Sequence, residues 1–107
     1  MDYLKQAELA IDYLQQSEEA YASLKATHQA EKERLKIVEA SCMLDSDAKT
    51  VKDRETEAKT NKAYKEALED WQRVMEEFYL IEAKRKRAEL TIDMYRSVNS
   101  ALKKGNI

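Results

Sequence analysis

The chain has 107 residues, no proline, one glycine and 37% charged side chains, which excludes a turn-rich sheet protein and reads as long helix. Its formal net charge of −2 argues against a general nucleic-acid or membrane-surface binder. The single cysteine, Cys42, excludes an internal disulfide and fits a reducing compartment. The start, Met1-Asp2-Tyr3-Leu4, soon meets Glu8 and Asp12 without a basic or apolar run, so no signal peptide is expected. No stretch approaches the ~18 apolar residues of a membrane span.

Asp2 is placed to cap a first helix, predicted over about residues 2–44. Its apolar stripe reads Leu4, Ala7, Ile11, Leu14, Tyr21, Leu24, His28, Leu35, Val38 and Cys42, at helical spacing. Asp45-Ser46-Asp47 breaks the pattern with three residues that favour turns and caps. Thr50 followed by Asp53 resembles a capping box and opens a short helix over Val51–Ala58. Thr60 or Asn61 then caps a second long helix, predicted to about residue 104, where Lys103-Lys104-Gly105 makes a stop.

That last helix holds a strict heptad. Tyr64, Trp71, Phe78, Arg85, Ile92 and Asn99 fall at one position; Ala67, Val74, Ile81, Ala88, Tyr95 and Leu102 fall three residues later. Such a repeat needs a partner helix, and the first helix has the matching length. An all-α antiparallel hairpin is therefore expected, a single domain over residues 1–107 in which residue i faces about 106 − i. In this register Leu4 meets Leu102, Leu14 meets Ile92, Tyr21 meets Arg85, His28 meets Phe78 and Leu35 meets Trp71. Charge agrees: residues 1–47 carry 5 basic and 10 acidic side chains, and residues 83–107 carry 7 basic and 2 acidic.

One stripe per helix is little apolar burial against the conformational entropy of ordering both. Leu9, Tyr13 and Ala20 lie off the first stripe, and Leu90, Met94, Val98 and Ala101 lie off the second. These seven form a candidate oligomer interface at the open end, through which two hairpins would pair as a homodimeric four-helix bundle.

Chemistry is sparse. His28, the sole histidine, falls on the buried stripe and reads as a packed core residue, and Cys42 lacks a neighbouring base and reads as a small apolar one. The carboxylates show no inward Glu-x-x-His pairing, and one glycine cannot build a phosphate loop. No catalytic, cofactor or metal residue is assigned, and no enzyme activity is expected. Lys84-Arg85-Lys86-Arg87 is the sharpest local feature, a candidate contact for phosphate or an acidic partner. On a helix its members point in different directions, and Arg85 falls on the seam with its stem packed and its head expected to emerge.

At Thr50-Val51, Arg54, Ala58, Thr60-Asn61, Tyr64, Ala67-Leu68 and Trp71, and again at Arg87-Ala88-Glu89, Ile92 and Tyr95-Arg96-Ser97, the chain resembles a group of small helical proteins of phages and prophages. Thr60-Asn61 stands where that group often has Ser-Pro. The genes of the group often lie among recombination and single-strand-binding functions, and most members have no assigned activity. In size and hairpin layout the chain is also similar to the secreted WXG proteins, but Trp71 is followed by Gln72-Arg73 inside a helix.

The resemblance implies a cytoplasmic interaction protein of the bacterial host. Its partner would be a bacterial or phage protein, in DNA recombination or replication or in a host defence system. The alternative is a nucleic-acid-binding accessory protein that uses the basic end of the second long helix.

Overall fold

The computed structural model describes residues 2–105. It holds three helices and, among the described residues, no strand: α1 (Tyr3–Leu44), α2 (Val51–Ala58) and α3 (Lys62–Lys103). The two long helices pack against each other, with the short helix between them in sequence.

Local chemistry sets each boundary. Asp2 accepts the backbone N–H of Lys5 through Oδ1 at 3.0 Å, and Thr50 accepts that of Asp53 through Oγ1 at 3.1 Å. Of the two candidates for the α3 cap, Asn61 takes the role, accepting the Ala63 N–H at 2.8 Å. Thr60 turns back to donate its hydroxyl to the Glu57 carbonyl at 2.7 Å, closing α2. Gly105, at φ +70°, supplies the left-handed residue that stops α3 without a Cβ penalty.

The chain divides into two compact units, one joining the residues up to Ala22 with those from Tyr79 onward, the other spanning Ser23–Phe78. In the Ser23–Phe78 unit, Cys42, Ala58, Ala67 and Phe78 are buried, flanked by half-buried Leu35, Val38, Trp71 and Val74. His28 stacks on Phe78 with ring centroids 5.1 Å apart and on Trp71 at 6.3 Å, as the register anticipates for Phe78.

The connector of this unit is tied down by side chains. Ser46 donates its hydroxyl to Glu57 at 2.8 Å and accepts the Ala48 N–H at 3.1 Å, while Arg54 Nε donates to the Ala48 carbonyl at 2.7 Å. Ala58, 1% exposed, anchors α2 by packing.

In the unit formed by the chain ends, the buried residues are all small: Ala7, Ala10, Ser17 and Ala88. Two helices alone can enclose only what lies directly between their backbones, so larger seam residues such as Leu14, Tyr21, Ile81 and Ile92 are half-buried.

This corrects the α1 stripe. Its contact positions run Tyr3, Ala7, Ala10, Leu14, Ser17, Tyr21, Leu24, His28, Glu31, Leu35, Val38 and Cys42, alternating three and four residues, and all are buried or half-buried. Leu4 and Ile11, expected in the seam, are 51% and 42% exposed, and Leu102, the expected partner of Leu4, is 56% exposed. An unbroken heptad that admits Ser17 and Glu31 prevails over the larger apolar residues one position away.

Candidate interaction surface

The four basic residues at 84–87 separate as helical geometry requires. Arg85 turns into the seam. Its Nη1 donates to the Leu14 carbonyl at 2.9 Å and to Ser17 Oγ at 2.7 Å, and its guanidinium carbon lies 4.8 Å from the centre of the Tyr21 ring. Ser17 remains a donor as well, giving its proton to the Tyr13 carbonyl at 2.7 Å. The head of Arg85 is therefore engaged within the seam and does not emerge, and it leaves the set of candidate phosphate ligands. Lys86 lies 3.8 Å from Glu82, whose other oxygen accepts the Tyr21 hydroxyl at 3.4 Å.

Lys84 and Arg87 point elsewhere. Both are exposed, and neither side chain pairs with a carboxylate among the described residues. They line a shallow groove whose other walls are Gln6, Leu9, Ala10, Tyr13, Ala88 and Thr91. The groove thus joins half of the basic run to two of the candidate interface residues, Leu9 and Tyr13.

The other interface candidates spread along α3. Leu90 and Met94 are 68% and 53% exposed, and Leu9 is 60% exposed. Val98 and Ala101 are half-buried and Ala20 is exposed. Ala101 borders a different, mainly polar depression with Arg96, Ser97, Ser100 and Lys104.

Charge divides sharply within this unit. Residues 2–22 hold one basic and five acidic side chains, whereas residues 79–105 hold seven basic and three acidic. The side chains of Glu8 and Asp12, exposed beside Leu9, form no ion pair or hydrogen bond with a described residue.

A second apolar surface was not anticipated. Near the connector, Ile37, Leu44 and Val51 are all more than 60% exposed, and Leu44 and Val51 line a depression with Ala40, Met43 and Arg54. The spacing of Ile37, Ala40 and Leu44 at three, four and seven residues was the available signal, hidden because the seam stripe runs alongside it.

The remaining polar groups are structural in arrangement. Arg34 links α1 to α3 within the Ser23–Phe78 unit, donating to Glu31 at 3.0 Å and to Asp70 at 2.7 Å, while Arg73 reaches Asp70 at 3.0 Å. The hydrogen bond that Arg34 donates to Glu31, with the charges of Glu31 and Asp70 and the bond to Asp70, holds the guanidinium above its ordinary pKa against opposing desolvation. Glu31 sits at a seam position, and Arg34 neutralises it there. Cys42 is buried and free. No group of three His, Cys, Asp or Glu positioned to hold a metal occurs among the described residues. No helix among them is long and apolar enough to cross a membrane.

Compared with protein-family models, with characterised proteins and with solved structures, the chain matches none.

Proposed function

We propose that this chain is a non-catalytic helical interaction protein, encoded by a phage or prophage and working in the bacterial cytoplasm. It binds a protein partner in DNA recombination or replication, or inhibits a host defence system, and two hairpins pair into a four-helix bundle. One observation carries the reading: Leu9, Leu90 and Met94 stand more than half exposed in the unit whose groove also presents the unneutralised Lys84 and Arg87. Apolar side chains beside uncompensated charge suit a protein surface better than solvent. The sequence resemblance supplies the setting.

Immobilised full-length protein is expected to retain one specific protein from phage-infected or host lysate. Leu90→Lys with Met94→Lys is expected to lose that protein while helicity by circular dichroism stays unchanged. Retention of nothing specific overturns the reading.

The unpaired state of Lys84 and Arg87 also favours a second reading, nucleic-acid binding through the basic end of α3. It requires retention in a gel shift at low salt that falls steeply as salt rises and vanishes in Lys84→Gln/Arg87→Gln. No retention at low salt disposes of it.

A further inference from the structure

We infer that the groove lined by Leu9, Tyr13, Lys84, Arg87 and Ala88 is closed by the first turns of α1 from a second copy of this chain, which receives the same segment in return. The inference deepens the interaction reading and rests on it, naming the occupant of one surface.

Two observations define what the groove accepts. The groove has an apolar floor, Ala10 and Ala88, walled by Leu9 and Tyr13. Its two cations, Lys84 and Arg87, have no carboxylate within their own copy among the described residues. A fitting segment must therefore be apolar along one edge and acidic beside it.

The start of α1 has that chemistry. Leu9 is 60% exposed, and Glu8 and Asp12, on the same side of the helix, are unneutralised within their own copy. Residues 2–22 hold a net −4 and residues 79–105 a net +4, so laying α1 of each copy on α3 of the other sets opposite charges together at both contacts. A twofold axis satisfies both contacts at once, because an isologous interface repeats every pairing.

The test uses two charge-swapped full-length variants, Glu8→Lys/Asp12→Lys and Lys84→Glu/Arg87→Glu. All four residues are exposed, so both variants are expected to keep wild-type helicity. Light scattering on wild-type protein at tens of micromolar is expected to return twice the mass of one chain. Each variant alone faces like charges at both contacts and is expected to self-associate at least about tenfold more weakly. Mixed in equal amounts, the two variants regain opposite charges at both contacts and are expected to restore the dimer. Leu9→Gln, which leaves every charge in place, is expected to weaken the wild-type dimer as well.

A monomeric wild type overturns the inference, as does a dimer indifferent to all three variants or one that the mixture fails to restore. A monomer that still retains a protein from lysate sinks self-pairing alone, whereas a dimer that retains none sinks the partner reading alone.

Discussion

Arg85 of α3 donates one guanidinium nitrogen to both the hydroxyl of Ser17, at 2.7 Å, and the carbonyl of Leu14, at 2.9 Å. A stretch of seam lined mainly by alanines, aliphatics and rings thereby acquires a polar lock. Greasy contacts tolerate sliding by a heptad, but a guanidinium pulled off its acceptors does not, so this contact fixes the pairing of α1 and α3.

Arg85→Ala is accordingly expected to lower stability by about 2 kcal/mol, the scale of a hydrogen bond to a charged group with its packing, read from the urea midpoint. Arg85→Lys is expected to recover less than half, because an ammonium is more strongly hydrated than a guanidinium and has no planar face to lay against the Tyr21 ring. A double-mutant cycle with Ser17→Ala should return a coupling of about 1 kcal/mol.

The aromatic stack gives a second expectation. The Trp71 indole N–H is buried and makes no hydrogen bond to a described residue, so Trp71→Phe removes no such bond and is expected to cost below about 1.5 kcal/mol. Phe78, 7% exposed and stacked on His28, has no such latitude; Phe78→Ala is expected to cost about 3 kcal/mol or more. Thermal melts of the two variants side by side check the contrast.

The connector is held by a cap and by a buried methyl group. Thr50→Ala removes the acceptor for the Asp53 N–H and is expected to cost about 1 kcal/mol. Ala58→Leu forces three further carbons into a site 1% exposed and is expected to cost about 1–3 kcal/mol. Hydrogen exchange should show both losses first as weaker protection of α2 amides.

The Arg34 cluster predicts little change with pH and more with salt. A raised guanidinium pKa contributes stability that is fully present below its ordinary, strongly basic value and is lost only as pH rises through the folded one. Neutral pH lies far below that window. Asp70→Asn is expected to cost under about 1 kcal/mol at low salt and less at high salt, because the pair is exposed. Urea titrations at two ionic strengths measure the difference.

Helix boundaries lay in the sequence because they are local. Asp2, Thr50, Asn61 and Gly105 act on backbone groups within a few residues, and the α3 heptad is carried by large side chains that declare themselves. The antiparallel pairing was legible for the same reason, since His28 and Phe78, and Tyr21 and Arg85, meet where the register puts them.

The face of α1 was settled only by the fold. Apolar size favoured Leu4 and Ile11, but in the unit of the chain ends the buried seam positions lie directly between two backbones and take small residues, so Ala10 and Ser17 occupy the seam and the larger residues are left facing out. The groove likewise belongs to tertiary structure, because Leu9 and Arg87 share a wall only after α1 and α3 have come together.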